Sequence, residues 1–208
     1  MSITVLNNPL LRHMLNQVRR ADLSADKLRL FVESLTIMAL PYLFEDELRV
    51  SRYIKTPLEE GLFEFLEEES YRFVCILRAG LPMLWGALKV MPQAKAGFLA
   101  IKRDDETLTS KLHYSRLPDL ENRNVILLDP MLATGGTLLV AIDELKKAHP
   151  RKIKSLHLVA SHQGLERVKS QHPDVELYVI SVDRELNSKG YILPGVGDMG
   201  DRLFSGGL

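Results

Sequence analysis

Asp129, Thr134, Gly135, Gly136 and Thr137 lie close together, directly after the apolar run Val125–Leu128 and before a helical stripe. In such a strand–turn–helix the glycines let the backbone approach an anion. The threonines add hydroxyl donors, and the N–H groups that open the helix favour negative charge. The loop Asp129–Thr137 therefore suits a terminal phosphate. Asp129, at the strand's C-terminal end, is placed to accept hydrogen bonds from sugar hydroxyls beside it. A Walker A loop needs a lysine before its last Ser/Thr, where Gly136 stands. A dinucleotide fingerprint needs spaced glycines that Gly135-Gly136 does not supply. A plain Gly-Gly turn is the other reading.

Other residues carry two readings each. Arg78 follows the apolar run Phe73–Leu77 and precedes Ala79-Gly80, so it either grips an anion through its planar fork or forms a surface ion pair. Arg103 either pairs with Asp104, Asp105 or Glu106, or belongs to a lid over a charged ligand. Asp198 either contacts a ligand or Mg²⁺ through water, or makes an Asx turn in a segment too glycine-rich to need a helix cap. Cys75 is the only cysteine and reads as a small core residue. His113, His149, His162 and His172 read as surface residues, and the histidines show no metal-ligand spacing.

The elements that must hold these groups follow from periodicity. Pro9–Arg20 and Ala25–Leu40 read as helices, the second capped by Ser24 and ended by Pro41. Val50–Ile54, Phe73–Leu77, Ala96–Ile101, Val125–Leu128, Ile153–Ala160 and Val175–Val182 read as strands. Leu81–Met91, Gly136–Ala148 and Gln163–Lys169 read as helices between them. That alternation predicts an α/β fold, a mostly parallel twisted sheet flanked by helices. One domain over 1–208 is expected, with an N-terminal helical attachment (1–45) and a C-terminal hood (184–208). Lys102–Leu120 reads as a polar, mobile or functional loop, and Gly190–Leu208 as aperiodic.

Composition narrows the class. The 208 residues are 46% hydrophobic and 26% charged, with formal net charge zero. A protein that grips nucleic acid usually shows a basic excess, so no nucleic-acid partner is expected. No apolar stretch reaches the roughly 18 residues of a membrane span, and the start lacks a signal-peptide pattern. A cytoplasmic setting without membrane contact is expected.

Asp129-Pro130-Met131-Leu132-Ala133-Thr134-Gly135-Gly136-Thr137 resembles the phosphoribosyl-diphosphate (PRPP) loop of type I phosphoribosyltransferases, in the uracil phosphoribosyltransferase form. Ile76-Leu77-Arg78-Ala79-Gly80-Leu81 resembles the diphosphate loop of that branch. Arg103-Asp104-Asp105-Glu106-Thr107-Leu108 is similar to its flexible loop, and Gly190-Tyr191-Ile192-Leu193-Pro194-Gly195-Val196-Gly197-Asp198-Met199-Gly200-Asp201-Arg202 to its uracil-binding hood. The resemblance implies that PRPP meets Arg78, Arg103, Asp129–Thr137 and Asp198, with Arg78, Arg103, Asp129 and Asp198 as catalytic residues. It implies that uracil meets Ile192, Gly197, Asp198 and Met199. Mg²⁺ held mainly by diphosphate and water, a homodimer or homotetramer, and a GTP effector seen in some relatives are further implications. Met199 replaces the usual alanine and adds volume beside the expected base. Pro82, Leu84, Trp85 and the tail Ser205-Gly206-Gly207-Leu208 also depart from the branch. A different pyrimidine as acceptor, or a regulatory homologue with reduced turnover, are the alternatives.

Overall fold

Strands covered on both faces carry unbroken apolar runs, and here those runs form the middle of a sheet. The computed structural model describes residues 3–47, 49–104 and 109–205. The strands are β1 (Ile3–Val5), β2 (Arg49–Lys55), β3 (Glu60–Leu66), β4 (Tyr71–Leu77), β5 (Lys95–Arg103), β6 (Ser110–Arg116), β7 (Asn124–Leu128), β8 (Met131–Leu132), β9 (Lys152–Ser161), β10 (Glu176–Asp183), β11 (Glu185–Leu186) and β12 (Ile192–Leu193). The helices are α1 (Pro9–Val18), α2 (Ala25–Leu43), α3 (Leu81–Val90), α4 (Gly136–Lys146), α5 (His162–Gln171) and α6 (Met199–Phe204). Eight strands form one sheet in the order β1-β10-β9-β7-β4-β5-β6, with β8 also on β9. Its ladders are parallel except β5 with β6. The α/β expectation holds.

Alternation along β4 divides the core. Phe73 and Cys75 pack with α1, α2 and α3, whereas Val74 and Ile76 pack with α4 and α5. Each fully buried Leu or Phe in these layers contributes roughly 1.5–3 kcal/mol. Cys75 is fully buried, and burial pushes its thiol up to about 12, so it is a core residue as read.

Strand order also creates the crevice. From β4 the chain goes through α3 to β5 on one side, and from β7 through α4 to β9 on the other. β4 and β7 are hydrogen-bonded neighbours, so the chain diverges between their C-terminal ends. Open α/β sheets bind ligands at such a switch point. Arg78 follows one strand and Asp129 the other.

Several elements differ from the sequence reading. Helix α2 runs past Pro41 to Leu43, because a proline in the last turn removes only one helical bond while Leu40 and Leu43 are buried. Ser24 occupies the N-cap without bonding a backbone N–H. Lys102–Leu120 is not a plain loop, since β6 returns along β5 as an exposed edge strand. Edge strands carry charge and polarity, which hides them in sequence. The tip of that hairpin, 105–108, lies outside the described residues. Val50–Ile54 belongs to a longer hairpin, β2–β3, that forms its own two-stranded sheet. β1 was not foreseen, nor was the helix α6 in the aperiodic tail. Among the described residues no helix is long and apolar enough to cross a membrane.

Candidate functional site

Strand β7 ends the ladder at Leu128, and Asp129 turns out of it at the base of a cavity of ≈ 650 Å³. Asp129 is only 7% exposed. Burial pushes its carboxyl up to about 7, partly offset by a 3.5 Å hydrogen bond from the Met131 N–H. Gly135 caps α4 with φ +82, a left-handed value that a side chain rarely adopts. The first-turn N–H groups of α4 lack intrahelical acceptors, an arrangement that favours an anion. The outer side of the loop rests on α5. Ser161 caps α5 by accepting from Gly164 N at 2.9 Å and donates to Ala133 O at 2.6 Å. Arg167 donates to Thr134 O at 3.1 Å.

Positive charge reaches the cavity from two other strands. Arg78 follows β4 through a cis peptide. Its Nη2 donates to Asp201 at 2.8 Å and its Nη1 to Ser205 Oγ at 2.9 Å. The ion-pair reading of Arg78 is thus realised, but with a partner on α6 inside the cavity wall. Such an exposed pair is worth ~0–1 kcal/mol, so a polyvalent anion competes with it easily. At the end of β5, Arg103 donates to Gly190 O at 3.1 Å and lies 5.4 Å from the Tyr191 ring centroid. Asp105 and Glu106, its other proposed partners, lie outside the described residues.

The hood closes the third side. β11 pairs with β12, and Gly190, Gly195 and Gly197 take positive φ. Arg19 donates to both oxygens of Asp183 at 2.6 and 2.8 Å and to Gly195 O at 2.7 Å, while Gly195 N donates to Asp183 at 2.9 Å. Burial raises the Asp183 carboxyl, but the bonds from Arg19, Ser181 and Gly195 outweigh it and hold it below the ordinary range. Arg202 donates to Val18 O, Arg20 O and Val196 O. The half-buried Arg19–Asp183 ion pair and the charge-assisted bonds of Arg202 therefore fix the hood against the end of α1.

The cavity wall brings together Arg78, Arg103, Asp129, Met131, Leu132, Ala133, Thr134, Gly135, Thr137, Ile192, Gly197 and Asp198. Three expected residues do not lie on it. Pro130 is buried, and Gly136 faces Ser110 and Arg167 on the loop's outer side. Met199 is fully buried in the core, so its extra volume is not on the cavity surface. Asp198 is, contrary to the reading above, a helix cap, accepting from Asp201 N at 3.0 Å. His172 is not a surface residue but is 8% exposed, between Lys146 and Asp143. Pro82 and Leu84 are buried in α3, and Trp85 is on its exposed side.

Sequence reasoning passed over His157, Asp183, Asp201, Ser161 and Gly164. A Ser directly before a helical stretch is a cap signature that would have found Ser161. The others act through contacts between distant elements and leave no local pattern.

The family model described as Uracil phosphoribosyltransferase matches residues 5–206. The uracil phosphoribosyltransferase of Aquifex aeolicus (strain VF5) is 48% identical over 203 residues, covering 98% of each chain. That of Variovorax paradoxus (strain S110) is 38% identical over 204 residues, again covering 98% of each. A solved structure of the AQ2163 protein from Aquifex aeolicus superposes with TM-score 0.95 at 48% identity, covering 98% of both chains. With that match over nearly its whole length and relatives at 38–48% identity, the chain belongs to the uracil phosphoribosyltransferase family.

Proposed function

We propose that this protein transfers the 5-phosphoribosyl group from PRPP to uracil, giving UMP and diphosphate, a pyrimidine-salvage reaction. The observation that carries the reading is one cavity shared by a phosphate-type loop, two arginines and a glycine-shaped hood. Family membership supports the same chemistry.

The 5-phosphate binds against the first turn of α4, with Thr134 and Thr137 as added donors. Binding energy so far from the reacting carbon orients C1. Asp129 accepts from the ribose hydroxyls, which stabilises the ionised form that burial disfavours. Uracil N1 bonds to C1 as the C1–O bond to diphosphate breaks; the bonding pair leaves on the diphosphate oxygen, and the N1 proton passes to solvent. Arg78, released from Asp201, and Arg103 stabilise the charge on the departing diphosphate. Asp198 and Asp201 offer hard oxygen donors at the cavity wall, which suits Mg²⁺, a cation held by one or two carboxylates, waters and substrate phosphates. When bound to diphosphate, Mg²⁺ neutralises leaving-group charge. Backbone groups near Ile192 and Gly197–Met199 read the base.

The test is diphosphate release from PRPP and Mg²⁺ over a panel of free bases. Uracil should be used at least ~100-fold better than cytosine, because mismatched carbonyl and amino groups leave about two buried polar groups unpaired. Release with no base at all would sink the transferase reading, and preference for another base would reassign the hood. The same reading takes 1–208 as one domain, supported by Leu11, Phe73 and Leu203 sharing a core cluster. It places the protein in the cytoplasm as a homodimer or homotetramer, supported by exposed Tyr53, Leu58, Leu62 and Phe63 on the β2–β3 hairpin. Light scattering checks the assembly, and rate against added GTP checks for an effector.

A further inference from the structure

The phosphate loop leaves the sheet through a gap in a ladder. β7 pairs with β9 as far as Leu128 opposite Leu156, and β8 resumes at Met131 opposite Val159. Across the gap most backbone groups still find β9. Asp129 N donates to Leu156 O at 3.3 Å, and Pro130 O accepts from Leu158 N at 3.0 Å and Val159 N at 3.1 Å. Pro130 has no N–H to satisfy. The Asp129 carbonyl is met by a side chain instead, with His157 Nδ1 at 2.7 Å. The other ring nitrogen lies 3.0 Å from Ser155 Oγ, and both His157 and Ser155 are fully buried.

The hydrogen positions follow from the partners. A carbonyl only accepts, so Nδ1 carries a hydrogen. Burial lowers the ring's pKa to about 4 and keeps it neutral, which leaves Nε2 to accept from the Ser155 hydroxyl. A buried imidazole between Leu156 and Leu158 is costly unless both nitrogens are satisfied, as they are here.

We infer that His157 is a positioning residue, tying the Asp129 carbonyl to β9 and so fixing where the Asp129 carboxylate and the phosphate loop stand over the cavity. This rests on the PRPP reading of that loop. An apolar side chain at 157 would fill the space but leave a buried carbonyl without a donor.

Steady-state kinetics on the full chain compare His157→Leu with His157→Asn. The asparagine amide nitrogen can take the place of Nδ1 and donate to Asp129 O. His157→Leu is expected to raise the KM for PRPP at least ~10-fold (~1.4 kcal/mol), with the KM for uracil within ~2-fold. His157→Asn is expected to return the PRPP value to within ~3-fold of the parent. A folded His157→Leu protein with the parental PRPP value overturns the inference, as does an asparagine variant that folds yet is no better than leucine. Should the leucine variant not fold, nitrogen-15 NMR of the parent imidazole decides. The Nδ1–H tautomer from pH 8 to pH 5 is expected, and an Nε2–H or doubly protonated ring overturns it. A parent protein that does not bind PRPP would overturn the functional reading and this inference together, whereas PRPP binding indifferent to residue 157 would overturn the inference alone.

Discussion

Asp129 combines two demands that conflict. Its place at the end of β7 is the one proposed to meet ribose hydroxyls, yet among the described residues only the Met131 N–H answers its carboxyl, and burial pushes it up to about 7. A folded value above the unfolded one means the native state holds a proton that the unfolded chain releases from about pH 4 upward. Stability therefore falls as pH rises from about 4 to about 7, and the full cost is present above that. A rise of this size corresponds to at most ~4 kcal/mol. Asp129→Asn should accordingly be more stable than the parent at pH 8, by ~1–4 kcal/mol, with the gain gone at pH 4. It should also lose most phosphoribosyl transfer. Denaturant unfolding at both pH values, beside PRPP turnover, measures this. An asparagine variant less stable at pH 8 would show that unseen partners already satisfy the carboxylate. The sequence made this residue legible, because an acid after an apolar strand and before a small-residue turn is a local pattern. It gave no sign of the burial, which comes from β9 and the loop folding back over it.

The loop Asp129–Thr137 is an element held by its neighbour. A Cβ added at Gly164, in the first turn of α5, would lie 2.2 Å from Ala133 O. Real Cβ atoms do not come so close to a carbonyl, so α5 or the loop must move. Gly164→Ala should shift the loop, since Ser161 and Arg167 bind it from the same helix. The expected result is a PRPP KM raised ~10-fold or more, with uracil affected far less. Equal damage to both constants would mean that the helix supports the whole cavity and not the loop. Strand–helix alternation and the loop itself were readable because each is contiguous in sequence. The seat beneath the loop was not, because Gly164 looks like any glycine near a helix start until Ala133 is brought against it. β6 was unreadable for another reason. An edge strand with one paired side carries the composition of a loop, and α6 is too short for periodicity to register.

At the scale of the whole molecule, the hood is part of the core and not a detachable flap. Ile192, Val196, Met199 and Leu203 share a cluster with Leu11, Phe73 and Leu158, and Arg202 binds the carbonyls of Val18 and Arg20. Removing 190–208 would expose that layer and strip the Arg202 anchor, so truncation tests folding before it tests base binding. A point change separates the two. If Met199 narrowed the base pocket, trimming it would preserve or raise activity. Because it is fully buried in the core, Met199→Ala should instead open a cavity and cost ~2–5 kcal/mol, a fall in Tm of roughly 5–15 °C for a chain of this length. Met199→Leu, which conserves volume, should recover all but ~1.5 kcal/mol. The kinetic consequence follows from position. Gly197 and Asp198, just before Met199 in the chain, lie on the cavity wall, so loss of the Met199 packing loosens the backbone proposed to read the base while the loop at Asp129–Thr137 keeps its own support from α5. The alanine variant should therefore lose uracil affinity more than PRPP affinity, and thermal melts with paired KM measurements test both parts. An alanine variant as stable as the parent, with tighter uracil binding, would put the Met199 side chain back at the base.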